Sequence, residues 1–200
     1  MPLLDSTLVG EPHARSLEPR PNDSVLVLGV GNVLMGDEGV GVHAIRRLEL
    51  EPRLEGVRLL DGGTGGVNLL TEFDWVRAII LIDATRDGRP DGKIGYLHLQ
   101  RVGELPHGLG AHDFGLKDLF AASALIGQSP ELHLYTVSVS TIRPMCMELS
   151  DPVAAAVPPL TWAVRGHAAR LAAAAPAQQQ KQKQLVHAFR QRMRSQRAND

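Results

Sequence analysis

Residues 78–82, Ala-Ile-Ile-Leu-Ile, and residues 25–30, Val-Leu-Val-Leu-Gly-Val, are continuous apolar runs far too short to span a membrane. Branched side chains dominate both, which favours extended backbone over helix. A strand that is apolar on both faces must be covered on both faces, and a sheet layered between helices provides that cover. The rest of the chain supplies the helices. Val40, Ala44, Ile45 and Leu48 form one stripe at helical spacing, and a second strand follows over residues 57–60. Leu69, Leu70 and Phe73 suggest a short helix before the run at 78–82. Residues 94–99 alternate as an edge or near-edge strand, and Leu116, Leu119, Phe120, Ser123 and Ala124 mark another helix. Residues 133–139 alternate as a further strand. Ser150-Asp151-Pro152 opens a last helix, which Pro158-Pro159 is predicted to kink before it continues over 160–174. Strand and helix alternation predicts an α/β fold: a three-layer αβα sandwich with a mostly parallel twisted sheet and helices on both faces.

The 200 residues suit a single core, placed here over 25–175. Residues 1–24 hold four prolines and no sustained period, and are predicted to be a disordered lead. Four acids and no basic-then-apolar pattern in that lead argue against a secretory signal, so a cytoplasmic protein is expected. Residues 176–200 carry six basic residues against the single acid Asp200 and read as a solvated, flexible extension, with a short amphipathic helix as the other option. The body between them holds 17 acids and 13 bases, which disfavours a nucleic acid across its face and leaves only the tail to attract one. No apolar run is long enough for a membrane partner. The lone Cys146 rules out an internal disulfide and, beside Met145 and Met147, reads as a buried packing thiol rather than a nucleophile.

Ligands of open parallel sheets bind beyond the carboxyl ends of the strands. There the first strand continues into Gly29-Val-Gly31-Asn32-Val-Leu-Met-Gly36-Asp37-Glu38, the second into Asp61-Gly62-Gly63-Thr64-Gly65-Gly66, and the third ends in Asp83. A dinucleotide fingerprint fails, because its third glycine would fall at Leu34 and the acids Asp37 and Glu38 would repel a pyrophosphate. Carboxylates at converging strand ends suit a cation instead. Glu38 and Asp83 can share one crevice, and among eight histidines His112, in a loop at a helix start, is the best placed to add an imidazole. By spacing alone the same residues serve equally well as helix caps and solvated loop residues.

The run Leu28-Gly29-Val30-Gly31-Asn32-Val33-Leu34-Met35-Gly36-Asp37-Glu38-Gly39-Val40-Gly41, with Asp61-Gly62-Gly63-Thr64, Ile82-Asp83-Ala84 and His112-Asp113-Phe114-Gly115-Leu116, closely resembles the hydrogenase maturation endopeptidases. The resemblance covers about residues 25–174. That family removes a C-terminal extension from the large subunit of nickel-iron hydrogenases once nickel is inserted. The resemblance implies that Glu38, Asp83 and His112 bind nickel, contributed by the precursor, and form the catalytic centre. It implies equally that Asp61, Gly62, Gly63, Thr64, Gly65 and Gly66 form a substrate-side loop. Zinc or another divalent ion is expected to enter the same triad in vitro. No Gly-x-Ser-x-Gly elbow is present, so metal-assisted attack by water is the expected route to hydrolysis. A precursor-binding chaperone that checks nickel without cutting, and a dinucleotide oxidoreductase, are the alternatives. Residues 138–147, Ser-Val-Ser-Thr-Ile-Arg-Pro-Met-Cys-Met, depart from the family's usual glycine- and glutamate-bearing loop, which bears on the choice of partner.

Overall fold

The computed structural model describes residues 24–73, 76–99, 113–125 and 130–197. Five strands form one sheet: β1 (Val25–Val30), β2 (Val57–Gly63), β3 (Ala78–Thr85), β4 (Ile94–Leu99) and β5 (Glu131–Ser138). Their order across the sheet is β2-β1-β3-β5-β4, with β4 antiparallel to β5 and every other pair parallel. The three principal helices are α1 (Val40–Glu49), α2 (Asp113–Leu125) and α3 (Asp151–Arg197); short 3-10 helices cover Gly36–Gly39 and Gly66–Phe73.

Side chains alternate across β1, β3 and β5, and each face builds its own core. On one face Val25, Val27, Ile80, Ile82 and Val137 pack with Ala44 and Ile45 of α1 and with Val153, Leu160 and Val164 of α3. On the other, Leu26, Leu28, Ile79, Leu81 and Leu134 pack with Phe73 of the second 3-10 helix and with Leu119 and Phe120 of α2. This is the three-layer α/β sandwich expected, with β4 as an edge strand. Buried Arg58 of β2 bonds both the carboxylate and the carbonyl of Glu72, which ties the second 3-10 helix to the sheet.

The backbone of α3 runs through Pro158 and Pro159 without a break and stays helical to Arg197, so residues 176–197, expected as a solvated extension or a short amphipathic helix, continue the last helix. The prolines remove the N–H groups that would bond the carbonyls of Ala154 and Ala155. All four residues are exposed, so water can serve those carbonyls, while Val153, Ala156, Val157 and Leu160 stay buried on the opposite side. The lead up to residue 23 lies outside the described residues. Among the described residues no helix is long and apolar enough to cross a membrane.

Candidate functional site

Strand β1 has β2 on one side and β3 on the other, so the order of winding reverses between β1 and β3. At such a switch point the connections leave in opposite directions and open a crevice beyond the carboxyl ends of the strands. Glu38 follows β1 and Asp83 lies near the carboxyl end of β3. The chain brings them to this rim through glycines. A Cβ on Gly41, in the first turn of α1, would collide with the carbonyl oxygens of Val30 and Ile82, and one on Gly29 would collide with that of Gly41. The start of α1 therefore sits directly on the ends of β1 and β3, three residues after Glu38 and against the residue before Asp83. Gly31, at φ 136°, turns the chain so closely that a Cβ there would meet the Glu38 carbonyl.

Glu38 is 2% exposed and Asp83 fully buried. Asp83 Oδ1 accepts the N–H of Ala84 at 2.7 Å. Carboxylate oxygens are ligands suited to a divalent cation. His112, the expected third member, lies outside the described residues; the backbone of α2 begins at the next residue, Asp113.

The glycine-rich loop ends β2, beside β1. Asp61 is exposed; its Oδ1 accepts the N–H of Gly63 at 3.0 Å, and its Oδ2 lies 3.6 Å from Arg46. Gly63 and Gly66 have φ of 47° and 51°, and the Gly65 N–H closes a turn on the Gly62 carbonyl at 2.8 Å. A Cβ at Gly62 would press on Leu28 and Leu69. Thr64 is exposed. The Gly31 N–H donates to the Gly63 carbonyl at 2.9 Å, so this loop and the one after β1 form adjoining walls.

A third wall is the loop whose sequence departs from the family pattern. The loop of residues 139–149 is laid against the loop after β1: Gly36 N–H donates to the Cys146 carbonyl at 2.7 Å, Cys146 N–H to Leu34 at 3.2 Å and Arg143 N–H to Met35 at 3.3 Å. Asp37, 3% exposed, anchors the arrangement by accepting the Ser150 N–H at 2.6 Å, with Arg143 3.9 Å away. Asp37 is thus a clamp, and no local signal announces it, because its partner is 113 residues distant. Leu34, Met145 and Met147 stand exposed at 47%, 88% and 56% and give this wall an apolar rim. Cys146 is partly exposed rather than buried, its Sγ directed at the Glu148 carbonyl. Behind the loop, burial and then Arg46 lower the pKa of His43, against a smaller opposing contribution from the Met147 backbone.

A family profile described as hydrogenase maturation protease matches residues 42–166. The chain is 35% identical over 143 residues to the hydrogenase expression/formation protein HupM of Azotobacter chroococcum mcd 1, spanning 68% of this chain and 67% of that one. It is 34% identical over 128 residues to the hydrogenase 2 maturation protease of Escherichia coli strain K12, spanning 60% and 76%. Among solved structures, the hydrogenase maturating endopeptidase HybD from E. coli superimposes with a TM-score of 0.65 at 32% identity, over 70% of this chain and 88% of that one. The [NiFe] hydrogenase maturation protease HybD from Thermococcus kodakarensis gives 0.62 at 29% identity, over 72% and 98%.

Proposed function

The chain belongs to the hydrogenase maturation protease family, and on that footing we propose that it removes the C-terminal extension of a nickel-iron hydrogenase large-subunit precursor after nickel has been inserted. The observation that carries this reading is the burial of Glu38 and Asp83 at the β1/β3 switch point. In this proposal the two carboxylates, with His112, contact the nickel that the precursor brings, so only a loaded precursor is held for cutting. A divalent ion so placed polarises a carbonyl or lowers the pKa of water. Zinc is an alternative occupant in vitro.

Hydrolysis adds one water across the scissile C–N bond, with hydroxyl to the carbonyl carbon and a proton to the leaving amine. Glu38 and Asp83 offset positive charge at the rim and orient the bound segment. The Asp61 to Gly66 loop lies at the end of β2, an edge strand of the sheet, where an extended peptide could add its backbone to the rim. The Leu34, Met145 and Met147 rim suits apolar side chains of the precursor, since methionine adapts its shape to its partner.

The test is the intact mass of the large subunit after incubation with His112→Ala and Glu38→Gln variants. Both are expected to leave the precursor uncut while melting cooperatively like the parent. Full processing by either would remove that residue from the centre, and binding without any mass loss by the parent would make the protein a chaperone.

A further inference from the structure

At the opposite end of β5 from the crevice, a second cluster of ligating side chains is assembled by strand pairing. His98 of β4 stands directly across from His133 of β5, and Glu131 shares the face of His133 two residues earlier. The Nε2 atoms of both histidines lie 3.2 Å from the same oxygen, Glu131 Oε1. All three candidate donor atoms fall within 4.8 Å of one another. We propose that His98, Glu131 and His133 form a binding site for a first-row divalent transition ion, zinc foremost, separate from the crevice.

Three features support it. First, ligands at about 2.0–2.1 Å around a tetrahedral ion lie about 3.3–3.4 Å apart, close to the two histidine-to-carboxylate spacings here. Second, the His133 side chain is 4% exposed, and its buried Nε2 has no hydrogen-bond partner despite its closeness to Oε1. A buried imidazole nitrogen beside a carboxylate oxygen, at the separation that two ligands of one ion share, is placed to hold that ion jointly with it. Third, the supporting contacts are present. Tyr96 Oη lies 3.0 Å from His133 Nδ1, the second-nitrogen contact that fixes the tautomer of a ligating histidine. Arg77 occupies the other carboxylate oxygen, Oε2, at 3.4 Å, and is itself held by the Leu171 carbonyl at 2.8 Å, which leaves Oε1 to the histidines. His167 packs edge-on against His133 but bonds Tyr135 Oη through Nδ1, and stands outside the triad.

Two imidazoles and one carboxylate favour zinc, nickel or copper over magnesium or calcium. His98 is half exposed, so the ion has an entry path and solvent can fill its fourth position. In register, Glu131 pairs with Ala78 and Thr136 with Asp83, five residues along, which separates the cluster from the crevice by about 16 Å. One ion cannot serve both. Bound here, it would pin edge strand β4 to β5.

The experiment uses tag-free full-length protein carrying Glu38→Gln and Asp83→Asn, which removes the crevice carboxylates, titrated with cobalt(II) chloride and followed by visible absorption. One equivalent is expected to give ligand-field bands that zinc chloride abolishes. Adding His98→Ala, at a half-exposed position that the fold tolerates, or Glu131→Gln is expected to weaken binding about tenfold or more. Absence of a stoichiometric cobalt spectrum in the crevice-deficient protein, or unchanged titrations in both added variants with melting intact, overturns the proposal.

Discussion

A methyl group at Gly41 would drive into the carbonyl oxygens of Val30 and Ile82, neither of which can move without displacing a strand. Gly41→Ala is therefore expected to cost about 1–3 kcal/mol, read from urea unfolding. It is also expected to depress processing more than Leu160→Ala, which opens a void in the α3 core away from the rim, at matched stability loss. Equal processing at matched stability would separate the glycine contact from the positioning of Glu38. Glu38 and Asp83 could be nominated because each follows an apolar run and stands in a motif that resembles the family's; the apolar run alone misplaces the end of β3, which continues past Asp83 to Thr85. Asp37 could not. Its role depends on the Ser150 N–H, and nothing in residues 36–39 encodes that distant contact. Nor does the sequence join His98, in the run 94–99, to His133, in the run 133–139: their opposition exists only once β4 is paired antiparallel to β5.

The loop of residues 139–149 departs from the family pattern in sequence yet is firmly bonded to the loop after β1. Met145 at its tip holds φ 58°, a region that costs an ordinary side chain energy, while exposing 88% of its surface. Glycine accepts that conformation freely. Met145→Gly is expected to keep or raise the melting temperature while raising KM for the precursor; an unchanged KM would remove the methionine rim from recognition. His43 of α1, behind this loop, has a pKa below its ordinary 6.5, so the unfolded chain takes up the proton first. Its contribution is intact above pH 6.5 and is lost as pH falls from there toward the folded value. Chemical unfolding of His43→Gln across that window should show a shallower loss of stability than the parent, and an identical slope would refute the linkage. In α3 the helix continues past the paired prolines because the buried stripe of Val153, Ala156, Val157 and Leu160 holds it while the exposed side gives up two hydrogen bonds to water.

The fold as a whole was readable because continuous apolar strands alternating with amphipathic helices admit few arrangements. Strand order was less so. Hydrophobicity says that 78–82 is central and 94–99 peripheral, but it does not say that β4 returns antiparallel along β5, nor that the sheet reverses between β1 and β3. That reversal concentrates the chemistry, since the connections leaving β1 and β3 diverge at the rim where Glu38 and Asp83 are buried. Two separate cores, one on each face of the sheet, keep the rim fixed. The central claim is that this rim grips the metal of a client before the client is cut. The most direct measurement is the intact mass of a nickel-iron hydrogenase large subunit, incubated with this protein as nickel-loaded and as nickel-free precursor. The loaded precursor is expected to lose its C-terminal extension and the nickel-free one to keep it; equal cleavage of both, or of neither, would contradict the account.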